Sequence, residues 1–217
     1  MKFDTNKYQN DHKHCDDCEA DVNSSIPVHI GEITEEFLAR TRRISIVGEI
    51  NEITSTYICN YLQLFSLLKE PIYMYIHSLG GCMASGYAII DQMLACNFPI
   101  YTIVRGQAHS MAAMIATFGT KGHRYATQNS SMMLHSVIIQ NQAESIERHS
   151  KMTDHIKEDY SRKVASLAKR TKLTVKQLTK LMNDTEWMSP RPAIKIGLID
   201  GIWTPRMEQG INKRCKL

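Results

Sequence analysis

The sequence predicts an α/β protein built on a largely parallel sheet. Three observations carry that reading. Short β-branched runs alternate with stretches whose apolar residues recur every three to four positions. The segments between successive runs are long enough to hold the crossover helices that parallel pairing requires. Glycines stand where runs end, at Gly48, Gly80, Gly81 and Gly106, as expected of strand-to-helix turns.

Taken in order, 31–43 reads as a short helix with Ile33, Phe37 and Leu38 on its apolar side, and 43–48 as a strand. Residues 51–69 predict a helix through Ile53, Tyr57, Ile58, Tyr61, Leu62, Phe65 and Leu68. A second strand covers 71–77, a turn 78–81 and a helix 84–96. A third strand covers 99–104, followed after Gly106 by a compact helix over 110–117. Short strands follow at 124–126 and 131–134. Residues 143–170 form one long charged amphipathic helix carrying Ile146, Met152, Ile156, Tyr160, Val164 and Leu167. A helix over 174–182 opens on Thr174 as N-cap, and 187–201 closes the fold.

The 217 residues, 43% hydrophobic and 22% charged, suit one ordinary globular domain and exclude disorder of the whole chain. No run of apolar residues approaches a membrane span, and a net charge of +4 is too mild to argue for nucleic acid. Without an apolar signal core in Met1–Asn6, a cytoplasmic location is expected. Three stretches divide the chain: a polar arm over 1–27 closed by Pro27, a domain over 28–205, and a basic tail over 206–217 holding Lys213, Arg214 and Lys216. The arm is acidic, with three lysines against six acids, and the tail reads as solvated. Within the arm, His12, His14, Cys15 and Cys18 resemble half of a zinc site, but no second cysteine pair follows, so no metal or other cofactor is expected. Cys59, Cys82 and Cys96 sit in apolar surroundings and read as reduced core residues.

Three turns carry the chemistry. Gly80-Gly81 allows unusual backbone angles beside a helix N-terminus, where amides favour an anion. In Gly106-Gln107-Ala108-His109-Ser110-Met111, a serine opens a helix directly after a strand, the logic of a nucleophile elbow. His109 adds a titratable neighbour. In Met132-Met133-Leu134-His135, a histidine ends an apolar strand and becomes a candidate base if it reaches Ser110.

Together these segments resemble the proteolytic subunit of the Clp protease, the ClpP family. The likeness runs from about Arg42 to Trp203. Tyr75-Ile76-His77-Ser78-Leu79-Gly80-Gly81 resembles the family's strand followed by Asn-Ser-Pro-Gly-Gly. Residues 106–111 resemble its Gly-Gln-Ala-Ala-Ser-Met, and 119–124 its Gly-x-Lys-Gly-x-Arg. Asn129 to His135 resembles Asn-Ser-x-x-Met-x-His, and 193–200 the closing Ala-x-x-x-Gly-Leu-x-Asp.

The resemblance implies a ClpP/crotonase-like fold of repeated β-β-α units, with a protruding handle helix at about 143–170. It implies a serine endopeptidase acting on unfolded polypeptides or peptides, with Ser110 as nucleophile and His135 as general base. The amides of Gly81 and Met111 would form the oxyanion hole. It further implies a homo-oligomer of stacked heptameric rings, a tetradecamer, possibly fed by an AAA+ unfoldase, with no nucleic-acid or membrane partner. The family's acid lies two residues before an aromatic-Leu/Met-Ser, a register that gives Thr185 here. Asp184 is taken as the third triad member through a local shift, with Glu186 on the other side. The alternative is a weakly active or inactive ring subunit with a structural or regulatory role. A crotonase-type acyl-CoA enzyme shares the two-amide hole but usually relies on Glu or Asp.

Overall fold

The computed structural model describes residues 36–68, 70–137 and 146–214. The arm with its histidines and cysteines lies outside the described residues, as do the opening turns expected at 31–35 and 143–145. The chain divides after Phe37, and the sheet, the helices that follow its first strand and the candidate site belong to Leu38–Leu217.

Seven strands form one sheet: β1 (Arg43–Ile50), β2 (Ile72–Gly81), β3 (Ile100–His109), β4 (Arg124–Thr127), β5 (Ser131–Leu134), β6 (Glu186–Met188) and β7 (Gly201–Trp203). The main path runs β1-β2-β3-β4-β7, all parallel, while β5 pairs parallel with β3 and antiparallel with β6. Among the described residues, seven helices follow β1: α1 (Glu52–Ser66), α2 (Met83–Ala95), α3 (Met111–Phe118), α4 (Ile146–Ala168), α5 (Val175–Asn183), α6 (Pro190–Ile196) and α7 (Pro205–Arg214). The mixed α/β architecture is that of the expected fold class.

Local chemistry explains the boundaries. Asn51 caps α1, its side chain accepting from the Thr54 amide at 3.0 Å. Thr174 and Gln177 form a capping box that opens α5. Every residue of α3 is buried, so this helix is held by packing against the sheet and not by propensity.

The strand that matters most is β3, because it divides its pairing. Thr102–Val104 pair with β4, whereas Gln107–His109 pair with β5. Gly106 marks the change at φ 69°, and a Cβ there would lie 2.7 Å from the His77 ring. The kink carries the C-terminal end of β3 away from β4 and brings it beside β5.

One face of the sheet packs on the large apolar core, centred on Ile46, Met74, Ile76, Ile89, Val104 and α3. The other face carries Tyr73, Tyr75, Ile103 and Trp203, closed by Ile211 of α7. Of the 206–217 expected as a solvated tail, residues 206–214 continue a helix that begins at Pro205. Glu208 supplies the physical reason: its carboxylate accepts from Tyr75, Trp203 and Arg105 at 2.8–3.1 Å. Charge composition alone hid that anchor. Elsewhere, Arg124 donates twice to Asp200, and the amides of Gly122 and Arg124 donate to the same carboxylate.

Candidate active site

Ser110 sits between β3 and α3 at φ 53°, ψ −124°. Its amide donates to the Met133 carbonyl at 2.8 Å, and its own carbonyl accepts from Ala113 and Met114 as α3 begins. The strand therefore ends in a sharp turn that lifts the side chain clear of the sheet. His135 follows β5, the strand that β3 reaches after its kink. Its Nε2 lies 2.8 Å from Ser110 Oγ, within hydrogen-bond reach. Its Nδ1 lies 2.5 Å from the Ser136 carbonyl, to which an Nδ1–H donates. With that proton on Nδ1, Nε2 presents its lone pair to the serine hydroxyl. Ser136 is fixed in turn, its amide donating to the Met182 carbonyl at 2.9 Å.

The two glycines stand against this pair. Gly80 has φ 99°, and a Cβ on it would lie 2.8 Å from Ser110 Cβ and 3.0 Å from the Met111 amide. Gly81 has φ 147°, and a Cβ would lie 2.3 Å from the Ile50 carbonyl oxygen. Both positions thus require glycine, and their absent side chains let β2 close onto the start of α3. The Ser78 hydroxyl, fully buried, accepts from the Gly80 amide at 3.0 Å and fixes the turn. As first residue of α3, Met111 has an amide for which the helix offers no internal acceptor.

A cavity of about 580 Å³ opens over Ser110, His135, Gly81 and Met111. Four methionines line it, Met83, Met111, Met114 and Met182, along with Leu134 and Val164. Tyr160 of α4 also faces it, donating to Met182 Sδ at 3.8 Å. Glu49, Tyr160, Lys163 and Met182 were not foreseen as lining residues. They arrive from the end of β1 and from two distant helices, and no local pattern links them to the serine.

Three positions depart from expectation or remain apart. Asp184 is exposed at the C-cap of α5 and, with Glu186, lines a separate cavity of about 290 Å³. Continuing the β5–β6 register, in which Leu134 faces Glu186, puts Thr185 across from His135. Cys82, expected in the core, is exposed at the head of α2 and lines the Ser110 cavity. The Ser85 amide and then its hydroxyl donate to the sulfur and hold the thiol below its ordinary range.

His109 is 3% exposed. Its Nε2 lies 3.0 Å from Ser131 Oγ, its ring meets Trp187 edge-on at 4.6 Å, and its Nδ1 has no partner. Burial pushes its pKa below the ordinary imidazole value. Trp187 covers it from β6, a contact between residues 78 positions apart that the sequence did not announce.

The arrangement places a hydroxyl, an imidazole with its lone pair toward it, and the Gly80–Gly81 strand end at the mouth of one apolar cavity. These are the parts of acyl transfer through a covalent serine intermediate. Among the described residues, no group of three or more His, Cys, Asp or Glu side chains is placed to hold a metal ion. No helix among them is long and apolar enough to cross a membrane.

Comparison with known proteins agrees in extent with this geometry. The family model for Clp protease matches residues 29–206. The ATP-dependent Clp protease proteolytic subunit of Ligilactobacillus salivarius (strain UCC118) is 36% identical over 169 residues, spanning 76% of this chain and 84% of that protein. The chain belongs to the Clp protease family.

Proposed function

We propose that the protein is a serine endopeptidase subunit that cleaves unfolded polypeptides or peptides. The observation that carries this reading is the 2.8 Å approach of His135 Nε2 to Ser110 Oγ beneath the apolar cavity. Ser110 attacks the scissile carbonyl while His135 takes its proton. The amides of Gly81 and Met111 receive the developing oxyanion, and His135 then returns the proton to the leaving amine. Water repeats the sequence on the acyl-serine. No cofactor takes part.

The third group is the open element of this proposal. Asp184 is the carboxylate we assign to it, reached by a shift of the Asp184–Thr185 turn toward His135. In the placement described, the Ser136 carbonyl occupies Nδ1. A neutral carbonyl fixes the tautomer but stabilises an imidazolium less than a carboxylate does. That observation favours a second reading, a weakly active or inactive ring subunit with a structural or regulatory role.

Assembly into stacked heptameric rings, with an AAA+ unfoldase as partner, is part of the first reading. Support comes from the relative's description as a proteolytic subunit of an ATP-dependent protease. A stripe of exposed apolar residues on α1, Ile53, Tyr57 and Leu64, also suits burial against a second copy. The cytoplasm is the location proposed.

A fluorophosphonate probe followed by intact mass tests the chemistry. Stoichiometric labelling of the wild type and none of Ser110→Ala is expected. No labelling of an intact assembly would establish the second reading. In Asp184→Asn, a fall of kcat on the order of 10³–10⁴ supports the carboxylate, whereas an unchanged rate leaves a Ser-His pair held by Ser136.

A further inference from the structure

The charge inventory of the Ser110 cavity is uneven. Two lining residues are of the charged types, Glu49 and Lys163. Lys163 is already committed. Its Nζ lies 2.5 Å from Asp159 Oδ2 and 4.4 Å from the centre of the Tyr87 ring, and its side chain is 19% exposed. Asp159 also pairs with Arg162 at 2.6 Å, away from the cavity lining, so the Lys163 ammonium is tied to a shared carboxylate and what Lys163 offers the cavity is chiefly its alkyl stem.

Glu49 is different. It is exposed and forms no ion pair among the described residues. Its backbone is rigid, opposite Gly80 in the β1–β2 register, with its carbonyl accepting from Thr54 Oγ1 at 2.9 Å. The next residue, Ile50, is the one against which Gly81 is packed. One uncompensated carboxylate is thus anchored on the Gly81 side of the cavity, and the remaining walls are mostly apolar or neutral.

We propose that Glu49 is a specificity-determining residue that selects substrates bearing lysine or arginine next to the scissile bond and disfavours aspartate or glutamate there. The inference rests on the peptidase reading above. The apolar cavity takes an uncharged side chain, and the cation of a neighbouring substrate residue lies against the Glu49 carboxylate at its rim. An exposed pair of this kind changes rates by about fivefold and is screened by salt.

The test uses the full chain and three fluorogenic peptides identical except for lysine, glutamine or glutamate beside the cleaved bond. For wild type, kcat/KM should fall in the order lysine, glutamine, glutamate, by about fivefold per step, with the spread narrowing from about 0.02 M to about 0.5 M salt. In Glu49→Gln the ratios between the three peptides should collapse toward one, and in Glu49→Lys the order should reverse. An equal spread in wild type and Glu49→Gln, or none in wild type, overturns the inference while leaving the peptidase reading intact. If wild type cleaves nothing and its serine takes no probe, the peptidase reading fails instead. Anisotropy of the same peptides on Ser110→Ala then decides the inference: tighter lysine-peptide binding that Glu49→Gln abolishes supports it, and equal binding overturns it.

Discussion

At φ 53° and ψ −124°, Ser110 holds a backbone conformation that costs an L-residue about 1–3 kcal/mol. The hydrogen bond to Met133 and the wholly buried α3 over-determine it. The strain belongs to the backbone, so Ser110→Ala should unfold at nearly the wild-type temperature while losing all probe labelling. Gly81→Ala should do the opposite of sparing the fold. Its Cβ would meet the Ile50 carbonyl at 2.3 Å, a backbone atom that can yield only by parting β1 from β2. A loss of about 1–3 kcal/mol in thermal unfolding, together with loss of labelling, is expected. His109 makes a separate prediction about pH. Burial lowers its pKa in the folded state, so the unfolded chain binds the proton more readily. Its contribution to stability is complete above the unfolded value of about 6.5 and is lost as pH falls below that value toward the lower folded one. Chemical unfolding at stepped pH should show that decline in wild type and a shallower one in His109→Phe.

At the scale of elements, the site is a meeting of β2, β3, β5 and α3, and the closeness of α2 to α3 sets where the helix begins. A Cβ on Gly86 would lie 2.1 Å from Met111 Cγ, near the root of the side chain and not at its tip. Gly86→Ala should therefore push Met111 and its amide out of place. Slower probe labelling should appear even where circular dichroism is unchanged. These elements were legible to different degrees. The helices α1, α2 and α5 were visible from apolar periodicity, and α5 also from its cap at Thr174. The ends of β2 and β3 were not. Ser78–Gly81 reads as a turn, yet after a shift in register Gly80 and Gly81 pair with Glu49 and Ile50, residues thirty-one positions earlier. Strand β3 continues past its apparent end at Val104 because β5 accepts it, a partner that local composition does not reveal. Ser110 and His135 were identifiable as types at strand ends. Their 2.8 Å approach follows only from the β3–β5 pairing. The third group was not legible: counting back from Trp187 lands on Thr185, which the strand register sets across from His135, while Asp184 stands one residue earlier at the C-cap of α5.

For the whole molecule, the least legible part was the C-terminal segment, whose helix is anchored by one carboxylate among aromatic rings. Acid should find this weakness and one other. Burial raises the carboxyl pKa of Glu208 and of Asp200, but hydrogen bonds from Trp203 and Tyr75, and from Arg124, outweigh it and leave both below their ordinary values. Each carboxylate contributes stability above its unfolded value, and that contribution is lost as pH falls through the lower folded value. Wild-type stability should drop below about pH 4, and Asp200→Asn, already weakened at neutral pH, should drop less. A different vulnerability lies in the wall of the cavity. Thioether side chains are supple, and a wall containing four of them reshapes readily around leucine, phenylalanine or methionine. Oxygen added to that sulfur turns a soft, greasy surface into a stiff, wet one. In Cys82→Ser, which removes the exposed thiol from the same wall, hydrogen peroxide should then erode the affinity for bulky substrates while the serine still takes its probe, and methionine sulfoxide reductase should restore it: the tolerance of this cavity is perishable and repairable.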